Sequence, residues 1–495
     1  DKTFLDDHHV TAMLGNEQQQ NNFRYASAYR KNYVSAAIDQ INVGSTAPAD
    51  KDNGGSASAG AYNNYFGRLN YDFKSKYLVE FVFRYDGSQI FPAGKRYAFF
   101  PAVSAGWRLS EENFIKDNFP FINQLKLRAS HGQVGNDRIA QWQYFQAFSF
   151  GDNYVFGTTD APGITPGTMP NPNVTWETSR KTDLGLDATL WKGLLDVEFT
   201  YWTQKRSDIL IQRNLSVSNV FGFPGLPDEN YGKVNSQGFE LLLRHKNNIG
   251  KVGYNLAGNI AFAKSKIIFI DEVPAAMPYQ ALTGHPIDAA LYYKADGIYR
   301  TQAELDASPH ASGSQVGDIR VLDLNKDGMI DSKDQFRFDL SPTPQITFGL
   351  NTDFQYRNFD LNIFFQGQAR AYKYDNTAAV LGGTDFANAY VYRAKDRWTA
   401  SNPNGKMPRS DTWMPGNTTF FLYNASYVRL KTVDFGYTLP AGIMSRIKLN
   451  SVRFYVSAYN LLTWAKEITW TDPEVNGNIS AIDSRNPAPY PPQRV

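Results

Sequence analysis

The sequence contains no cysteine, which excludes disulfide staples, thiolate metal sites and cysteine nucleophiles. It also lacks any apolar run near the roughly eighteen residues of a membrane-spanning helix. Its most hydrophobic clusters, such as 267–270, are only a few residues long. Neither sign of charge dominates. Fifty basic and 48 acidic residues leave a net charge of +2, so no bulk field suits a nucleic acid or an acidic substrate. Nucleophile-elbow, zinc-helix and phosphate-loop signatures are missing, and the expectation is that the chain is not an enzyme. Its opening residues, DKTFLDDHHV, are not a secretory signal; an exported chain beginning here would be processed or a fragment.

What is present is a period of two. Between residues 62 and 113, Tyr77, Val79, Phe81, Phe83 and Tyr85 alternate with Leu78, Glu80, Val82, Arg84 and Asp86. Such alternation puts an apolar and a polar row on opposite faces of a strand. The pattern recurs at 9–18, 65–73, 99–109, 125–131, 182–190, 195–203, 239–244, 254–262, 346–355, 360–366, 432–437 and 452–459. The stretch from 19 to 60, with KDNGGSASAG, reads as a flexible loop. A sandwich would turn the apolar rows inward, whereas a transmembrane barrel turns them to lipid and its polar rows to a wet lumen.

Length and linkage separate the two. Runs of about nine residues or more suit tilted membrane strands, against about five or six in an ordinary sheet. Long and short links alternate along the chain, the mark of an outer-membrane barrel with long loops outside and short turns in the periplasm. At mean hydropathy −0.44 the chain looks soluble, as a porin-like barrel does, because half of each strand and every loop are polar. An odd number of strands with an open edge cannot close in lipid, so this reading requires further wall.

Several stretches resemble the SusC/RagA-like family of TonB-linked outer-membrane transporters of Bacteroidetes. They include YFGRLNYDFKSKYLVEFVFRYDG, GKVNSQGFELLL, LDLNKDGMID, YVRLKTVDFGYTLP and VRFYVSAYNLLTW, in order from about residue 8 onward. The resemblance implies an all-β fold, the whole of residues 1–495 forming the C-terminal portion, about thirteen strands, of a 22-stranded antiparallel transmembrane β-barrel of the plugged class. The N-terminal plug, the TonB box, the first strands and the last strand would lie outside the chain. It further implies import of oligosaccharides or peptides together with a SusD-like surface lipoprotein, energised by TonB. Rival readings are a surface binding or adhesion barrel without active transport and a passive porin.

Two groups of residues could carry binding. In the insertion 266–344, expected outside the membrane, Asp323, Asn325, Asp327, Met329 and Asp334 match the oxygen positions of a calcium-binding loop, with Gly328 at its sharp turn. Structural calcium is expected there, held by four side chains and the Met329 carbonyl; the bland alternative is an Asp/Asn/Gly-rich surface turn. Aromatic residues crowd two long loops: Trp142, Tyr144, Phe145, Phe148 and Tyr154 in one, Tyr390, Tyr392, Trp398 and Trp413 in the other. Flat sugar faces and peptides both stack on such rings, although packing against other loops or the lipoprotein accounts for them equally well. His8 and His9 point to opposite faces of a strand and cannot share a metal. Asp183, Asp187 and Glu198 are expected to share the inner surface with Arg68, Arg84, Arg108 and Arg128 as a charge-balanced lining. Glu111 and Glu112 are expected in a periplasmic link, away from any cleft.

Overall fold

A computed structural model describes the chain except residues 36, 214–224, 376–393, 411–416, 470, 475–481, 484–485 and 488–495. One curved antiparallel sheet of 14 strands dominates, each strand hydrogen-bonded to the next in chain order. Its strands are β1 (Lys2–Phe4), β2 (His8–Arg30), β3 (Lys51–Phe73), β4 (Tyr77–Ser88), β5 (Tyr97–Arg108), β6 (Ile122–Asn136) and β7 (Glu177–Leu190). The series continues with β8 (Leu195–Gln212), β9 (Asp228–Ile249), β10 (Val252–Phe269), β11 (Ile346–Tyr356), β12 (Phe359–Ala369), β13 (Tyr427–Thr438) and β14 (Arg453–Ala465). Among the described residues no helix is long and apolar enough to cross a membrane.

The two faces are those of a membrane wall. In β4, Tyr77, Val79, Phe81 and Tyr85 are each about two-fifths exposed, and Leu69, Val103, Leu184, Tyr201, Leu350 and Phe435 extend this apolar surface along the sheet. So continuous an exposed apolar face needs lipid. Tyr77 to Tyr85 spans roughly 27 Å of strand, or roughly 20 Å along the membrane normal at a barrel tilt of 35–45°. Aromatic rings close the band at the short-turn side: Phe73 lies 4.7 Å from His8 and 6.3 Å from Tyr77, which lies 6.3 Å from Trp107. Glu112 anchors that girdle by accepting from Tyr77 Oη at 2.7 Å and Trp107 Nε1 at 3.1 Å.

Three expectations are corrected and the strand count is refined. The KDNGGSASAG segment is strand, not loop: Lys51 to Gly60 pair residue by residue with Arg30 back to Asn21, extending a strand expected to stop at 18. Small side chains put nothing in the way of the partner backbone, and the ladder outweighs a loop-like composition. Among the described residues the sheet has 14 strands, in keeping with the expectation of about thirteen; the additional one is the three-residue Lys2–Phe4, which folds back onto Val10–His8. The alternation of link lengths has one exception: 89–96, on the long side, is shorter than 109–121 on the short side, which houses the helix Asn113–Lys116. Finally, Glu111 does border a cleft, together with Arg108, Lys126, Arg128 and Asp187 on the inner face.

The long links carry structure of their own. Between β10 and β11, Ala290–Tyr293 pairs with Gln335–Phe338 and Ala295–Ile298 with Ile319–Val321. Tyr293, Ala311, Ile319, Val321, Ile330 and Phe421 form an apolar core beneath them. Phe421 comes from the next long link, so the two insertions share a core. Hydrophobic burial therefore helps to order the 266–344 insertion, alongside whatever a metal at 323–334 would add.

Candidate functional site

The inner face is built from the polar positions of the wall. Arg128 of β6 stands opposite Gly185 of β7, which stands opposite Thr200 of β8. Because Gly185 has no side chain, the guanidinium lies across it, donating to Asp187 at 3.1 Å and to Thr200 at 2.6 Å. Nearby, Lys181 pairs with Asp183 at 2.9 Å, Arg84 with Asp86 at 2.8 Å, and Arg68 with Glu80. Glu198 and Arg108 line the same cleft as Arg128 and Arg244. The expected charge-balanced lining is present, although Asp183 takes a lysine and Arg68 and Arg84 take Glu80 and Asp86. Such a surface holds water and polar solutes close to lipid.

Above the wall, Trp142, Tyr144 and Phe145 do come together: Trp142 lies 6.1 Å from Tyr144 and 6.0 Å from Phe145, with 4.4 Å between the last two rings. Tyr144 rests on a buried cluster of Phe91, Phe100, Val174 and Trp176, which leaves Trp142 and Phe145 presented to solvent. Tyr154 is elsewhere, 4.7 Å from Phe156 on an exposed hairpin of Phe148–Phe156 and Thr159–Pro166. Trp398 joins neither group; its indole covers Gly317, where a side chain would collide with it, and its buried Nε1 has no hydrogen-bond partner among the described residues. Its packing reads as structural. Tyr390, Tyr392 and Trp413 lie outside the described residues.

The 323–334 loop is tightly turned. Asp323 accepts from the amides of Lys326 at 2.7 Å and Gly328 at 2.9 Å, and Asp327 accepts from Met329 N at 3.0 Å and Asn325 Nδ2 at 2.7 Å. Gly328 has φ +85°, a backbone state that glycine adopts without strain. Asp334 is fully buried; it accepts from Leu324 and Asp331, the second bond belonging to the capping box that starts the Ser332–Asp334 turn. Met329 N and Asn325 hold the Asp327 carboxyl below its ordinary range. Lys333 Nζ stands 3.7 Å from Asp327 and 3.4 Å from Asp331, neutralising charge that a cation could otherwise take. Among the described residues no three histidines, cysteines or carboxylates converge on one point. The donor chemistry suits a hard cation, and the loop spends its oxygens on its own amides.

A second polar centre, not legible in the sequence, lies where β12, β13 and β14 end on the long-link side. Arg429 is buried and donates to Asp472 at 2.5 Å, to Glu474 and to Thr463. Lys431 pairs with Glu474 at 3.3 Å, and Gln366 donates to it at 2.9 Å. Buried Lys373 donates to the Pro473 carbonyl at 2.5 Å. Burial pushes its ammonium down to about 8, although Asp472 and Glu474 pull the other way. Ile468 packs with Ala371 and Ala425, so Ile468 and residues 472–474 are strapped against the rim by apolar contact and charge. The only hint in the sequence is the pair of acids around Pro473.

A family profile described as "TonB dependent receptor-like, beta-barrel" matches residues 3–461. TonB-dependent receptor P3 of Formosa agariphila is 33% identical over 428 residues, covering 83% of this chain and 42% of that protein. TonB-dependent receptor SusC of Bacteroides thetaiotaomicron is 25% identical over 451 residues, covering 86% of this chain and 42% of SusC. The chain thus spans less than half the length of these relatives. A solved structure of the RagAB peptide transporter superposes with a TM-score of 0.79 at 22% identity, covering 95% of this chain and 51% of that one. These matches agree with the membrane wall and with strand order: the chain belongs to the TonB-dependent receptor β-barrel family of outer-membrane proteins, and its relatives place it with the SusC/RagA-like type.

Proposed function

We propose that the parent protein imports large nutrients across the outer membrane, driven through TonB and working with a SusD-like surface lipoprotein. The observation that carries this reading is the pairing of a polar, charge-balanced inner wall with structured long links at one rim. Oligosaccharide is the cargo favoured here. Trp142 and Phe145 offer exposed flat rings beside Tyr144 above the lumen, the surface on which sugar faces stack. A peptide cargo is the second reading, favoured by the likeness to a protein described as a peptide transporter.

Calcium belongs to the same proposal. Asp323, Asn325, Asp327, the Met329 carbonyl and Asp334 would hold it, with Lys333 swinging away, and it would fix the shape of the insertion that meets partner or cargo. The full-length protein in its native outer membrane tests the function. Expected is TonB-dependent uptake of labelled oligosaccharide, reduced by Trp142→Ala with Phe145→Ala, and co-purification of the lipoprotein. Uptake of labelled peptides alone would replace the cargo, and uptake independent of TonB would overturn the mechanism.

A further inference from the structure

The outward face of the wall changes character on five adjacent strands. Its last apolar row on the long-link side is Ala129, Leu184, Tyr201, Phe239 and Phe262, each opposite the next from β6 to β10. Two residues further along every strand the same face reads His131, Thr182, Thr203, Gln237 and Lys264. Two further still it reads Gln133, Arg180, Lys205, Asn235 and Lys266, again in direct register. Arg180, Lys205 and Lys266 are all exposed. They share a face with the lipid-facing Leu184 and Tyr201, since each lies an even number of residues away.

Among the described residues nothing balances this row. Among the described residues, no carboxylate lies within ion-pair distance of Arg180, Lys205 or Lys266. Arg180 Nε donates to the neutral Gln133 at 3.0 Å. The acids nearest in the pattern are engaged: Asp208 accepts from Thr178 and Ser207 at 3.1 Å, and Asp339 takes His285 at 2.6 Å and Lys264 at 3.6 Å. Lys233, one row beyond, adds a further exposed cation. Arg180 and Lys205 stand directly opposite each other, a like-charge pairing that is unfavourable without a counter-ion. Continued across β5 to β2, the same register row reads Pro101, Phe83, Gly67 and Leu14, without a cation.

Depth identifies the counter-ion. Four residues beyond the apolar row is roughly 13 Å of strand and roughly 9 Å along the normal at a tilt of 45°. The headgroup layer on each side of a bilayer is roughly 5–7 Å thick; each cation, four residues beyond the apolar Leu184, Tyr201 or Phe262 of its own strand, has a stem long enough to reach back into that layer. We propose that Arg180, Lys205 and Lys266 form a binding site for the phosphate groups of a phosphorylated lipid headgroup in the leaflet on the long-link side. The lipid is held edge-on against β7 to β10. Arginine grips phosphate in a fork and the flanking lysines act as point charges. The site rests on the outer-membrane placement alone and is independent of cargo.

The full-length protein, reconstituted in nanodiscs of neutral phospholipid doped with diphosphorylated lipid A, provides the test, with bound lipid counted by native mass spectrometry. Three cations facing an anionic surface raise affinity by roughly 100-fold. Arg180→Gln with Lys205→Gln and Lys266→Gln is therefore expected to lose bound lipid A by about that factor, while Arg180→Lys keeps most of it. Should the triple variant fail to assemble, Lys266→Gln alone is expected to show a partial loss. Equal retention by wild type and variants overturns the proposal. So does equal retention of dephosphorylated lipid, or displacement of lipid A by excess inorganic phosphate, which would mark a site for a soluble anion.

Discussion

Arg453 of β14 reaches over Gly436 of β13 to hold Asp360 of β12, with Nη2 2.5 Å and Nε 3.0 Å from its two carboxylate oxygens. A side chain at 436 would meet the guanidinium itself. Arg128 crosses Gly185 in the same way farther along the inner face. Both arrangements staple three strands through the lumen, and each depends on one glycine in a strand that otherwise disfavours it.

Gly436→Ala should accordingly leave the ladder intact and push Arg453 off Asp360. The pair is about one-third exposed, so its coupling is expected in the surface range of about 0.2–1 kcal/mol. A double-mutant cycle on Arg453→Met and Asp360→Asn should find that coupling in the parent and none in the Gly436→Ala background. Undiminished coupling would show that the guanidinium has another route.

Leu69 and Asn70 are neighbours on β3 with opposite surroundings. Leu69 is half exposed on the lipid side, and Asn70 lines the inner cleft with Arg68 and Glu80. Arginine near the midplane of the lipid face costs about 2–4 kcal/mol, far more than in the lumen. Leu69→Arg should impair assembly into the outer membrane, whereas Asn70→Arg should assemble normally. Heat-modifiability on gels reads the difference, and equal assembly of the two variants would reverse the face assignment.

Lys373 has a folded-state pKa of about 8 against an ordinary 10.5, because burial disfavours its charge. Between those values the unfolded state binds more protons than the folded one, so this group adds stability as pH rises through about 8 toward 10.5. Below about 8 its ammonium is charged in both states and the penalty of burying it is constant. The thermal midpoint of the full-length protein should carry this upward component between pH 7.5 and 9.5, values chosen to bracket a pKa of about 8, and Lys373→Met should flatten it. An unchanged slope in the variant would rule Lys373 out as the source.

Asp323→Ala combined with Asp327→Ala removes four hydrogen bonds to loop amides or to Asn325, and two of the proposed calcium ligands. The barrel should still assemble, while proteolysis near 323–334 should accelerate. In the parent, calcium at extracellular levels, matching a site of order 10⁻⁴–10⁻³ M, should slow cleavage relative to chelator. Protection by calcium that persists in the double variant, or is missing from the parent, would sink the metal site and leave the turn purely hydrogen-bonded.

Much of the wall was legible because a period of two is a local property. Any stretch such as 77–85 declares its two faces without reference to its neighbours. The 51–60 stretch was not legible, since Gly, Ser and Ala declare neither face and become strand only through pairing with 21–30. The aromatic trio at Trp142, Tyr144 and Phe145 was visible as a cluster in sequence, while the burial of Trp398 against Gly317 depends on a contact across 81 positions of separation, between residues 317 and 398. Arg429 lies in a stretch that reads as ordinary strand; its partners Asp472 and Glu474 are more than forty residues away, at |i−j| = 43 and 45.

The amino-acid sequence by itself determined which side chains share a face wherever the pattern alternates, and which family the chain resembles, because strand alternation and motif spacing are written along one chain. Tertiary structure alone decided register. Which residue of β7 stands opposite which residue of β8 is set by turn length, bulges and the summed pairing of whole strands, and a slip of one position would exchange the two faces. Register aligns Arg180, Lys205 and Lys266 in one row, lays Arg128 over Gly185 and brings Arg453 to Asp360. Each of these depends on distances between strands, which no local pattern encodes.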